Sequence, residues 1–162
     1  MTHIEMIKEM AKMQNALDEA LLEKGEKLGK IKGFDRERTT FALIDELGEL
    51  VHELKGDWCW WKATQKPVDR QKVLEELVDV WHFALSLDNN NEYFCYENEF
   101  YKENRCFVLG DIQELINACI EDGLTVPRLY PLTYSLGFTM ENVYSGYIKK
   151  NKENYERIKQ GY

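Results

Sequence analysis

The 162-residue chain has no excess of positive charge, no paired cysteines, no long apolar run and no segment of sustained apolar-polar alternation. Each absence removes a class of protein. With 21 Lys and Arg against 29 Asp and Glu, the formal net charge of −8 would be repelled at long range by a nucleic-acid backbone or an anionic membrane. Neither is expected as a direct partner. Cys59, Cys95, Cys106 and Cys119 are scattered, with no C-x-x-C pair and no nearby histidine cluster, which argues against a zinc site or a disulfide framework and for free thiols in a reducing cytoplasm. His3, His52 and His82 show no ligand spacing and receive no functional role. Residues 1–8 contain no apolar signal core, and no stretch approaches the ~18 apolar residues expected of a membrane span. A soluble, cytoplasmic protein is expected.

What the chain does contain is helical periodicity. An apolar fraction of 44% over this length suffices for one core, so a single domain over 1–162 is expected. Met6, Met10, Met13, Leu17 and Leu21 recur at three- and four-residue intervals and predict an amphipathic helix from Ile4 to about Glu23, followed by a loop through Gly25, Gly29 and Gly33. A second helix is expected to open near Asp35, with Leu43, Leu47, Leu50, Val51 and Leu54 on one face and Gly56 as its stop. Residues 57–68 hold three tryptophans and Pro67 and read as a connector. A third, more apolar helix is expected from about Asp69 to Leu87, with Trp81 in the core. Residues 93–107 carry no readable pattern. Asp111 with Glu114 predicts a capping box ahead of a helix that Gly123 ends. Pro127 and Pro131 bracket a turn, or Pro131 begins a short helix, and a last helix starts near Thr139. The fold class is all-α, a helical bundle.

Two acidic pairs carry the chemistry: Glu46 with Glu49 on the second helix and Glu76 with Asp79 on the third. Three-residue spacing on a helix aims both carboxylates of a pair the same way. A single such pair is in most proteins a solvated face. Two pairs on successive helices, both flanking the apolar stripe, would meet if the helices packed antiparallel, and four converging carboxylates call for a hard cation such as Mg²⁺. The last helix offers the opposite chemistry. Lys150, Asn151, Asn154 and Arg157 combine cations that can hold phosphates with amides that can read a base edge. Asparagine is a mediocre helix former, so two on one face invite a functional account. Gln14 and Asp18, four apart on the first helix, make a further polar patch, and Trp58, Trp60 and Trp61 could stack on a base or pack in an interface.

In this order, residues 13–18 (Met-Gln-Asn-Ala-Leu-Asp), Glu46 with Glu49, Glu76 with Asp79, and the ending 150–162 resemble the dimeric, all-α dUTP pyrophosphatases. The ending is the most specific block, whereas the two acidic pairs are shared with the wider all-α nucleotide pyrophosphatase superfamily. The resemblance covers about 10–87 and 139–162. It implies a homodimeric bundle that hydrolyses dUTP to dUMP and pyrophosphate, and dUDP to dUMP and phosphate, with Mg²⁺ ions held by Glu46, Glu49, Glu76 and Asp79. It further implies Glu49 as the residue that orients the attacking water and accepts its proton, and Gln14 and Asn151 at the uracil edge. Trp61 and Asp18 are implied as further members of the nucleoside pocket, and Lys150, Asn154 and Arg157 as partners of phosphate oxygens. Two alternatives stand beside this reading: a sister pyrophosphatase preferring dCTP or another dNTP, and a noncatalytic helical interaction protein.

Overall fold

The computed structural model describes residues 1–90, 108–121 and 123–161. Seven helices, and no strands, are found among them: α1 (His3–Lys27), α2 (Arg36–Glu53), α3 (Lys55–Trp58), α4 (Arg70–Asn89), α5 (Val108–Ile120), α6 (Val126–Ser135) and α7 (Met140–Lys159). The segment 93–107, with Cys95 and Cys106, lies outside the described residues.

Side-chain caps set the starts of the long helices. Thr2 and Glu5 form a reciprocal capping box on α1, Thr139 and Asn142 do the same on α7, and Asp35 and Asp69 accept from the first-turn amides of α2 and α4. Several boundaries differ from the sequence expectation. Helix α1 continues through Gly25 and stops at Leu28, because Gly29, at φ 67°, takes the left-handed turn that returns its own N–H to Glu26 and that of Lys30 to Gly25. Helix α2 ends before Gly56, which sits inside the short α3. The expected capping box at Asp111 is not formed: Asp111 lies within α5 and its carboxylate accepts from Ser135 of α6 at 2.5 Å. Pro127 occupies the first turn of α6 and Pro131 its interior, so neither proline brackets a turn or begins the helix.

Helix α4 is the centre of the bundle and packs against α1, α2, α6 and α7; α1 also packs on α7, and α5 on α6. One core joins Met6, Ile7 and Met10 of α1, Leu43, Leu47 and Leu50 of α2, Val73, Leu77, Trp81 and Leu85 of α4, and Val143 and Tyr147 of α7. Two polar contacts brace α4 from the α6 side. Trp81 Nε1 donates to Thr133 Oγ1 at 3.0 Å. Asp88, at the end of α4, accepts from the N–H groups of Thr125 and Val126 and from the Thr125 hydroxyl, each at 2.8 Å. Burial raises the Asp88 pKa to about 6, against these hydrogen bonds and the charge of Arg36. The carboxylate thus satisfies the otherwise orphaned amides at the start of α6.

Replacing Asp88 with Ala leaves the two buried N–H groups of Thr125 and Val126 without an acceptor, while the Thr125 hydroxyl keeps the Ala84 carbonyl oxygen at 3.0 Å. A loss of about 3 kcal/mol in unfolding free energy is expected, measured by urea titration at pH 7.5. A loss below about 0.5 kcal/mol would remove the carboxylate from this bracing role.

Candidate active site

Burying the leucine stripe of α2 against α4 brings the two acidic pairs together. Carboxylate oxygens of Glu46, Glu49 and Glu76 lie within 4.8 Å of one another. The register follows from the residues that meet: Glu49 lies with Glu76, while His52 and Glu53 at the end of α2 share a cavity with Asp69 and Lys72 at the start of α4, so residues ascending α2 meet residues descending α4. The helices are antiparallel. Burial, and then repulsion by Asp79, Glu49 and Glu76, pushes Glu46 up to about 7; Glu76 is raised by burial and by Asp79 and Glu49. Half-buried carboxylates brought together, with burial and then mutual repulsion disfavouring their charged forms, are a donor set suited to a hard dication, which would remove the repulsion and displace the proton.

Asp79 stands at the edge of this cluster. Its Oδ2 accepts from Lys150 Nζ of α7 at 2.5 Å. Burial raises the Asp79 pKa, while Lys150 and the more distant Arg157 oppose the rise. The residue expected to bind metal and the lysine expected to bind phosphate are therefore partners of each other. Asn154 is half-buried and Arg157 exposed on the same side of α7.

One end of the cluster leads along α4 to a second, largely buried polar constellation centred on Gln14. Its Nε2 donates to Asp18 Oδ1 at 2.7 Å and to Ser86 Oγ at 2.9 Å; its Oε1 accepts from the Tyr147 hydroxyl at 2.6 Å and lies 2.7 Å from His82 Nδ1. The Asp18 carboxylate decides the amide's orientation, since it can only be met by the NH₂ group. Oε1 then requires the proton of His82 on Nδ1. Burial drives the His82 pKa down to about 3, so the ring is neutral and Nε2 is a bare acceptor. The ring stacks on Tyr147 with centroids 4.1 Å apart. Three buried side-chain atoms around this hub have no hydrogen-bond partner among the described residues: His82 Nε2, Asp18 Oδ2 and Asn151 Nδ2. Asn151 lies one turn beyond Tyr147 and is 7% exposed.

Gln14 and Asn151, both assigned to a base edge, thus differ in state. The Gln14 amide has all four hydrogen-bonding positions engaged inside the protein, whereas the Asn151 amide has an uncommitted donor. Trp61 is exposed, and its ring contacts among the described residues are with Trp58 and Trp60. It is not part of the group gathered around Gln14. His82, Ser86 and Tyr147 received no role from the sequence. The available signal was polarity inside apolar helix: His82 and Ser86 interrupt the run 80–87 and continue, at three- and four-residue steps, the line begun by Glu76 and Asp79.

The profile of the dUTPase family matches residues 6–162, nearly the whole chain. A comparison with curated proteins finds no match.

The raised Glu46 pKa has a definite sign in stability. Between the usual value of 4.5 and about 7, the metal-free native state retains a proton that the unfolded chain has released, so stability falls as pH rises through this window and then levels off. In chelator-containing buffer, the unfolding free energy of the natural protein is expected to fall relative to Glu46→Gln over that range. Parallel pH profiles from urea titrations would contradict the assignment.

Proposed function

We propose, for a chain that belongs to the dUTPase family and hydrolyses dUTP, that it is a Mg²⁺-dependent enzyme releasing dUMP and pyrophosphate, that it also converts dUDP to dUMP and phosphate, and that it works as a cytoplasmic homodimer. The observation that carries the substrate reading is the set of uncommitted buried atoms around Gln14. Uracil presents carbonyl acceptors on either side of an N–H donor. Asn151 Nδ2 can donate to a carbonyl, and His82 Nε2 or Asp18 Oδ2 can accept from the N3 hydrogen. Cytosine reverses this pattern at two positions, with an amine facing a donor and a ring lone pair facing an acceptor. Gln14 acts one step back in this reading, fixing the tautomer of His82 and the orientation of Asp18.

Glu46, Glu49, Glu76 and Asp79 would hold the Mg²⁺, which when bound supplies neutralisation of phosphate charge and a more acidic water. Glu49, the exposed member of the cluster, orients the attacking water and accepts its proton. The new bond from water oxygen to phosphorus replaces the bridge between dUMP and pyrophosphate. Lys150, Asn154 and Arg157 meet phosphate oxygens. Since Lys150 is paired with Asp79, substrate and cation together exchange that pair for two separate contacts. Trp61 is kept as an outer member of the nucleoside pocket. Phe41 and Ile44, exposed at the rim of the acidic cleft, supply apolar surface that a second copy could cover.

Pyrophosphate release from dUTP, dCTP and the other dNTPs, with and without Mg²⁺, tests this reading. Selective, Mg²⁺-dependent dUTP turnover is expected, with Glu49→Gln lowering kcat by roughly 100-fold or more. Asn151→Ala is expected to reduce the preference for dUTP over dCTP roughly tenfold, the equivalent of one lost hydrogen bond of about 1.4 kcal/mol. Equal or faster dCTP turnover by the natural protein would assign it instead to a sister specificity.

A further inference from the structure

On the side of the acidic cluster away from Gln14 lies a second cavity, of about 590 Å³, between the end of α2, α3, the connector 64–67 and the start of α4. It shares His52 and Glu53 with the acidic cleft, so the two are continuous. Three lysines, Lys55, Lys66 and Lys72, border it against two acidic residues, Glu53 and Asp69, a positive balance in a chain of net charge −8. Lys55 Nζ lies 3.0 Å from His52 Nδ1. Neither Lys66 nor Lys72 forms a side-chain ion pair among the described residues. Of the two acidic neighbours, Asp69 is engaged by its capping bonds to the N–H groups of Gln71 and Lys72, while Glu53 sits on the boundary with the carboxylates.

We infer that this cavity receives the distal phosphates of the substrate and then holds the pyrophosphate leaving group. The inference rests on reading the neighbouring cluster as the dUTP site. Its main support is the linear order along α4, where His82, Asp79, Glu76 and Lys72 follow one another at three- and four-residue steps. At about 1.5 Å per residue, Lys72 lies about 6 Å past Glu76 and about 15 Å from His82 along the axis. Base, metal-binding carboxylates and a cationic end thus succeed one another in the order of a nucleoside triphosphate. The connector is held in place for this purpose by Gly56. A Cβ there would lie 2.7 Å from the Lys66 carbonyl oxygen and 2.8 Å from the Val68 nitrogen, so only glycine lets the chain fold back and set Lys66 beside Lys55 and Lys72. Three ammonium groups on flexible stems suit a mobile polyanion that must leave after each turnover, and act as point charges rather than as a fixed fork.

Product inhibition of dUTP hydrolysis separates this inference from the reading beneath it. Lys66→Gln, Lys72→Gln and the double variant alter exposed side chains and are expected to melt like the natural protein. The inhibition constant of pyrophosphate should rise roughly tenfold in each single variant and further in the double one, with inhibition by dUMP unchanged. Calorimetric titration of Mg²⁺–pyrophosphate into each protein should show the same weakening without any turnover. Normal dUTP hydrolysis with unaltered pyrophosphate inhibition and binding in the double variant would overturn the inference alone. Failure of the natural protein to hydrolyse dUTP would overturn the reading and the inference together.

Discussion

The seam between α2 and α4 is the constraint on which the rest of this protein depends. Leu43, Leu47 and Leu50 on one side and Val73, Leu77 and Trp81 on the other are all at most 3% exposed, and burying a side chain of this size contributes about 1.5–3 kcal/mol. That gain is large enough to drive Glu46, Glu49 and Glu76 to within 4.8 Å of one another although they repel. Burial, and after it this repulsion, pushes Glu46 up to about 7. A cation held there, as proposed, would relieve an electrostatic cost that hydrophobic packing has already imposed.

The helix that carries Glu76 and Asp79 also carries His82 and Ser86, which meet Gln14 of α1 in the buried polar pocket. Gln14 ties α1 to α4 through His82 and Ser86, and to α7 through Tyr147, so one buried amide links the three helices around the proposed base site. Each of its bonds restricts the next: Asp18 fixes the amide, the amide fixes the His82 tautomer, and the tautomer leaves Nε2 as an acceptor. On the far side of α4, Asp88 and Thr133 hold α6 against it. The helix lining the site is thereby fixed from both flanks, which limits the reorganisation left to be done when a ligand arrives.

The all-α architecture was legible because its signals are local. Period-3.6 patterning and the caps at Asp35, Asp69 and Thr139 mark α2, α4 and α7 closely, and the spacing of the acidic pairs anticipated that α2 and α4 would bring Glu46, Glu49 and Glu76 together. Signals that depend on tertiary packing were misread. Gly25 and Gly56 looked like breakers, yet a tertiary-supported helix absorbs one glycine, and the stop of α1 came from the left-handed turn at Gly29. Asp111 looked like a cap because its true partner, Ser135, is distant in sequence. The pairing of Lys150 with Asp79 and the bonds of Gln14 to His82, Ser86 and Tyr147 were invisible for the same reason: each joins residues more than 65 positions apart. His82 was passed over because histidine was weighed as a metal ligand, while its burial beside an amide gives it a different use.

In the proposed arrangement base recognition and cation binding lie in line along α4, and a crystal structure with a nonhydrolysable α,β-imido analogue of dUTP and Mg²⁺ is the decisive test. The predicted result is uracil hydrogen-bonded to Asn151 and to His82 or Asp18, cations among Glu46, Glu49, Glu76 and Asp79, and Lys150 moved from Asp79 to a phosphate oxygen. A base bound elsewhere, or a nucleotide bound with Lys150 still paired to Asp79 and no cation at the carboxylates, would contradict it.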